Sequence, residues 1–391
     1  MVESEGNPGV SPDAPGLPAG GGDSSVGPGR ARRLDSLTGL RFAAALVVFG
    51  YHLEGFFYFR APYAAMSHGF VQGTTGVSFF FILSGFVLTW SHQRGDRPSA
   101  FYRRRSARIG PLQVVTWIIM GVILLTLTTG PPLGPSLASL FLLAPWTPGL
   151  ALHLTMNNPS WSLGCEAFFY LVFPLLFAGA KHLTRAQRRL VLAGLVLVVV
   201  GLAVALDPAP NGTTRFWALY FFPPVRLLEF AIGMLLAAEV ADGQGIRVKL
   251  GPASMLALGA YVADSWAPTT FQPVAVTLLP FMALIVAAAR SDVAATPSWL
   301  RSRSLVRLGV WSFAIYMVHW PVLTLVSHQV TGRVGTLGGV VLGLVSLAIT
   351  VAAAAGLYRW VEHPLERRLR GGGRHGTPRY HPLPITDPAG P

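Results

Sequence analysis

Cysteine, lysine and charge are all scarce in this sequence. Cys165 is the one cysteine among 391 residues, so no intramolecular disulfide can form. Charged residues make up 12 % of the chain, against about 25 % in an ordinary soluble domain. With 52 % hydrophobic residues and a mean hydropathy of +0.50, that shortage excludes a soluble globule and identifies an integral membrane protein. Lysine occurs only at Lys181 and Lys249, so arginine carries the formal charge of +13. The arginines are spread over short connections between apolar runs, which argues against a nucleic-acid-binding patch. Ligand spacings of the zinc type and phosphate loops of the Walker type are missing too, so no metal site is expected. The first 33 residues contain no apolar core, so a cleaved signal peptide is not expected there. Their Gly, Pro and Ser content reads as a disordered tail, as does that of residues 371–391. Residues 34–370 between these tails are expected to form the membrane domain.

Within that domain the sequence offers about ten apolar runs: 37–55, 73–91, 112–129, 165–180, 189–206, 223–240, 250–266, 273–289, 306–328 and 336–358. Each is close to the length a spanning helix needs. The expected fold is therefore an all-α, multi-pass bundle of about ten transmembrane helices. Basic residues fall in alternate connections: the N-terminal tail, Arg94–Arg108, Lys181–Arg189, Arg247–Lys249, Arg290–Arg307 and Arg359–Arg379. The opposite connections hold only Arg60, Arg215 and Arg333, and residues 130–164 contain neither Lys nor Arg. By the positive-inside rule both termini are expected in the cytoplasm, with the protein in the cytoplasmic membrane. The apolar piece 136–146 is too short to span and reads as a re-entrant or interfacial segment.

The first span carries two ionisable residues. Arg41 and His52 are eleven residues apart, close to three helical turns, which puts them on one stripe with Ala45 and Val48, about 16 Å apart along the axis. Ionisable groups at that depth face a bundle interior or a wet cavity. A neutral imidazole can take a proton from an alcohol at physiological pH; the alternative for His52 is a hydrogen bond to a neighbouring helix. Arg41 needs an anionic partner, from the protein or from a ligand.

Other spans carry polar residues as well. In FYRRRSARIGP, residues 101–111, a helix would gather Arg104, Arg105 and Arg108 on one cationic face, suited to phosphate oxygens or to anchoring topology. Ser84 and Gly85 in GVSFFFILSGFVLTW are small residues that permit close helix packing. Glu166 in PSWSLGCEAFFYLVFP can orient or charge-stabilise a histidine, or cap its helix. Its neighbour Cys165 has no basic residue beside it to activate a thiolate, which argues against a covalent acyl-enzyme. Arg226 and Glu229 are an i,i+3 pair able to satisfy each other. His319, next to Trp320 and Pro321, reads as structural, and Glu362 as a partner for local arginines.

Taken in order, these motifs resemble the membrane-bound acyltransferase family 3. LDSLTGLRFAAALVVFGYH is similar to the family's opening element, RRRSARIGP to its Arg-x-x-Arg-Ile-x-Pro element, and FFFILSGFVLTW, NNPSWSLGCEAFFYLVFP, LGVWSFAIYMVHWPVL and WVEHPLERRL to its later ones, so that the likeness runs from Arg33 to Glu362. Ser36, Thr38 and Cys165 depart from the usual pattern. The resemblance implies an O-acyltransferase with acyl-CoA as donor substrate, no permanently bound cofactor, and a carbohydrate or macrolide-like acceptor bearing a hydroxyl. It implies His52 as general base, Glu166 as its supporting acid, and Arg41, Arg105 and Arg108 as donor-binding residues. The chain's end soon after its last span leans toward a compact acceptor. Two other classes compete: a transporter or flippase of a glycan or lipid-linked intermediate, and a non-catalytic membrane scaffold. Turnover by purified protein in detergent, where no gradient exists, separates the enzyme from the transporter.

Overall fold

The computed structural model describes residues 33–56, 70–92, 97–149, 155–243, 247–330 and 335–369. Both expected tails lie outside these, apart from Arg33, as do Arg60, Arg94 and Arg333. In chain order the helices are α1 (Asp35–Gly55), α2 (Thr75–Trp90), α3 (Pro98–Leu127), α4 (Leu133–Leu140), α5 (Trp161–Ala180), α6 (Arg185–Ala205), α7 (Thr214–Tyr220), α8 (Pro223–Ala241), α9 (Leu250–Ala263), α10 (Ala275–Val293), α11 (Arg303–Gln329), α12 (Thr336–Leu357) and α13 (His363–Leu369). A π-helical turn, Tyr358–Glu362, joins the last two. There is no strand among the described residues. Nine helical segments among them are long and apolar enough to cross a membrane. The run expected at 250–266 also folds as a helix, but α9 has only 14 residues and continues into a short 3-10 turn, Asp264–Trp266. The piece at 136–146 forms the end of α4 and a 3-10 turn, and does not span.

The outer surface shows why this bundle belongs in lipid. On α3 the exposed side chains Val114, Ile118, Val122 and Leu125 recur every three or four residues, and on α6 Leu190, Leu197 and Val204 recur every seven, two turns apart. In water such stripes would be an aggregation hazard; against acyl chains they cost nothing. Polar residues turn inward and pair. Arg226 and Glu229, both buried, form the i,i+3 ion pair at 3.1 Å, and Arg226 also donates to Ser78 Oγ at 2.8 Å. Arg188 is paired with Glu239 and Asp242. The N-terminus of α1 is capped from another helix: Asp292 on α10 accepts from Ser36 N at 2.8 Å and from Ser36 Oγ at 2.7 Å.

Helices without a hydrophobic drive to associate rely on close backbone approach. α2 and α8 achieve it reciprocally. The Phe230 carbonyl lies where a Cβ on Gly85 would sit, and the Ile82 carbonyl where one on Gly233 would sit. The packing role expected for Gly85 is thus borne out. Gly233→Leu is expected to force these helices apart at a cost of about 1–3 kcal/mol, seen as a lower yield of monodisperse protein on size exclusion in detergent. An unchanged yield and melting temperature would contradict this account of the contact.

α1 runs through the middle of the assembly. It packs along α11, touches α2 and α10, and is therefore walled on several sides. This position lets one helix present polar groups to an internal cavity and to an open groove.

Candidate active site

The first space is a cavity lined by residues from five helices, among them Arg41 (α1), Ser84 (α2), Arg105 and Arg108 (α3), Glu166 and Tyr170 (α5), and Tyr316 (α11). It exists because the basic segment is helical. Arg105 and Arg108, three residues apart in the unbroken helix α3, come onto one face. Arg108 is ion-paired with Glu362, which is 1 % exposed, and lies 3.8 Å from Glu366. Its guanidinium also covers the Phe313 ring at 5.3 Å. Arg105 sits between the rings of Phe101 and Tyr170, 5.8 Å from each centroid. Such stacking holds a planar guanidinium at low entropic cost.

Arg41 differs from both. Among the described residues it makes no hydrogen bond or ion pair, and its Nε is buried without a partner. Arg108 lies close enough to repel it, while Glu166 and Glu362 attract it from a distance. A half-satisfied guanidinium inside a membrane bundle is costly unless an anion completes it.

The second space opens at the far end of α1. It is an open groove lined by Tyr51, His52, Glu54, Gly55, Phe56, Asn158 and Trp320. Here His52 Nδ1 lies 2.9 Å from His319 Nε2, with the two rings stacked at 5.0 Å and 28°. Trp320 meets His52 edge-on at 5.1 Å. Pro321 places this part of α11, since it lacks the N–H that would satisfy the Met317 carbonyl. Asn157 Nδ2 donates to that carbonyl instead, at 2.9 Å, which ties the loop before α5 to the histidine pair.

Tyr316 and His319 are one turn apart on α11 with ring centroids at 5.9 Å, so one lines the arginine cavity and the other backs His52. The Tyr316 ring is also 5.9 Å from Phe80. Its hydroxyl shares a hydrogen bond with Ser162 Oγ at 2.8 Å and donates to the Pro159 carbonyl at 3.2 Å. Phe80, Ser162 and Tyr316 all line the cavity, and none of them lines the groove.

The sequence-derived candidates are thereby regrouped. Arg41, Arg105, Arg108 and Glu166 share one cavity, and His52 lines the other space. Glu166 does not support His52: its carboxylate accepts from Ser84 Oγ at 3.0 Å and from the Tyr170 hydroxyl. Its position one turn into α5 directs it at the arginines. The group against His52 is His319, read from the sequence as structural. The missed signal was simple, for His319 is an ionisable residue in a span and meets the criterion that singled out His52. Glu362 pairs with an arginine, but the partner is Arg108 on α3 and not one of its sequence neighbours, the local arginines expected from the sequence.

Cys165 is fully buried, its thiol facing the Phe221 carbonyl at 3.4 Å, and it does not line either space. Cys165→Ala is expected to retain acyl transfer within about twofold, and maleimide treatment of the folded protein to leave the rate unchanged; loss of turnover on alkylation of Cys165 would reinstate a thiol mechanism. Among the described residues no group of three or more His, Cys, Asp or Glu side chains is arranged to hold a metal.

Residues 34–359 match the sequence profile of the acyltransferase domain, Acyl_transf_3. The chain is 36 % identical over 390 residues to Acyltransferase MdmB of Streptomyces mycarofaciens, covering 93 % of this chain and 98 % of that protein. It is 30 % identical over 324 residues to Exopolysaccharide production protein ExoZ of Rhizobium meliloti, covering 78 % and 92 %. With O-acetyltransferase OatA of Staphylococcus aureus it shares 24 % over 379 residues, 86 % of this chain but 58 % of OatA. No solved structure matches the chain. A helical bundle built for lipid, with arginines in an internal cavity and a histidine at an open groove, and a profile match over nearly all of its described length place this protein in the acyltransferase 3 family.

Proposed function

We propose that the protein is an O-acyltransferase of the bacterial cytoplasmic membrane that moves an acyl group from acyl-CoA to a hydroxyl of a carbohydrate or macrolide-like acceptor. The observation that carries this reading is the unpaired Arg41 guanidinium, held beside Arg105 and Arg108 in a cavity that adjoins the His52 groove. Guanidinium forks suit phosphate oxygens, and the charge pattern of the connections puts the arginine end in the cytoplasm, where acyl-CoA is found. The donor's phosphates rest on Arg41, Arg105 and Arg108, and its extended pantetheine arm runs along α1 toward His52.

The acceptor enters the groove at Tyr51, Asn158 and Trp320. His52 takes the proton of its hydroxyl as the oxygen attacks the thioester carbon. The carbon–sulfur bond breaks, the acyl group passes to oxygen, and the CoA thiolate recovers the proton from His52. Glu166, bonded to Ser84 and Tyr170, aligns the arginines electrostatically and touches neither reacting group. Donor and acceptor held at two ends of one helix supply proximity.

The test uses purified protein in detergent with radiolabelled acetyl-CoA and either a macrolide or an oligosaccharide acceptor. Labelled ester and free CoA in equal amounts are expected, with no membrane gradient present. Acceptor modification without CoA release would remove acyl-CoA as donor, and no turnover with any acceptor in detergent would favour a transporter.

A further inference from the structure

We infer that His319 is a positioning residue that fixes the tautomer of His52, so that Nε2 of His52 is the bare nitrogen presented to the groove. This rests on the reading of His52 as base and adds to it the group that sets its protonation. His319 Nδ1 lies 3.3 Å from the Ile315 carbonyl oxygen, one turn back on α11. A carbonyl only accepts, so the nitrogen facing it carries the proton. A neutral imidazole has one N–H, which leaves Nε2 of His319 bare. That bare nitrogen is 2.9 Å from His52 Nδ1, so His52 Nδ1 donates to it. His52 in turn has its one proton on Nδ1, and its lone pair is on Nε2. The proton order runs in one direction, from His52 Nδ1–H to His319 Nε2 and from His319 Nδ1–H to Ile315 O.

The surroundings keep that order. His319 is 1 % exposed, is packed edge-on by Phe49 at 6.3 Å, and sits on a segment tied by Asn157 to the Met317 carbonyl. His52 in contrast lines the groove. The hydrogen bond made by one ring nitrogen decides which proton the other holds. When Nε2 of His52 takes up the hydroxyl proton, its Nδ1–H still points at a lone pair and meets no second N–H, so the imidazolium is stabilised where it forms. With the wrong tautomer Nε2 would carry a proton and could not act as base, a fault that in triad enzymes costs about 10⁴-fold in rate.

The test compares His319→Leu, which removes the acceptor, with His319→Gln, whose amide oxygen can accept from Nδ1, under saturating donor and acceptor. H319L is expected to lower kcat by about 10²-fold or more with both KM values within about twofold. H319Q is expected to recover at least about tenfold of that loss. A kcat for H319L equal to the parent, or equal losses in the two variants, would overturn the assignment. Because a buried substitution can cost folding, a second measurement uses the unaltered protein. In ¹⁵N-histidine-labelled protein in detergent, the His52 signals, identified by their loss in H52A, are expected to show Nδ1 protonated and Nε2 bare; the opposite tautomer would overturn the assignment without any variant of His319. The two levels of the reading fail differently. A fully active H52A removes His52 as base, whereas an inactive H52A beside a fully active H319L removes only the role of His319.

Discussion

His52→Ala is expected to lower acyl transfer by about 10²–10⁴-fold, the range that general-base removal commands, while the protein accumulates in the membrane at its parent level. The two halves of that expectation have separate structural grounds. His52 stands in the last turn of α1 and faces an open groove, so truncating it leaves a notch at a surface instead of a closed cavity, and little stability goes with it. His319 loses one contact but keeps its bond to Ile315. The chemistry has no substitute, since the other titratable side chains of the groove, Tyr51 and Glu54, lie on the same helix turn without the His319 partner that orders the imidazole. Measured as kcat with protein quantified by immunoblot and size exclusion, the loss should fall almost entirely on kcat. The width of the groove adds an internal control, because free imidazole can reach the vacated position, and partial recovery of rate on its addition is expected. Normal transfer by H52A would end the base assignment.

How far the sequence foretold this site depends on which kind of contact is asked about. Contacts within one helix were legible. The stripe joining Arg41 to His52, the shared face of Arg105 and Arg108, and the Arg226–Glu229 pair all follow from 3.6-residue periodicity, and the structure reproduces each relation. The nearly complete set of spans was legible for the same reason, since lipid imposes length and apolarity on each one; α9 fell short because a 14-residue helix ends before its apolar run does. Contacts between helices were not legible. The choice of Glu166 over His319 as the partner of His52 required knowing that α11 lies along α1 and that α5 faces α3, and no spacing along the chain carries that information. The close crossing of α2 and α8 is an intermediate case: Gly85 announced a contact, but only the fold supplies Gly233 opposite it.

Arg41→Gln separates donor binding from folding in a way that the other arginines cannot. Arg108 is bound to Glu362, and the carboxylate is 1 % exposed; removing the arginine leaves a buried charge without its nearest partner, a loss on the order of 3–5 kcal/mol that would depress folded protein and obscure any effect on the donor. Arg41 has no such obligation. Its guanidinium pairs with nothing among the described residues, and replacing it relieves the repulsion from Arg108. The Gln variant is therefore expected to fold at least as well as the parent, with a melting temperature unchanged or raised. Its acyl-CoA affinity should fall, because a charge-assisted hydrogen bond to an anion is worth about 1.5–3 kcal/mol, which corresponds to roughly 10–150-fold in binding. The loss should appear in KM for acyl-CoA and in kcat/KM, and not in KM for the acceptor, which binds at the other end of α1. It should also be larger for acyl-CoA than for an acyl-pantetheine that lacks the nucleotide phosphates. A Gln variant with unaltered acyl-CoA affinity would mean that the donor's phosphates lie elsewhere and that Arg41 answers to a different anion, whereas equal losses for both donors would place Arg41 against the thioester end of the arm.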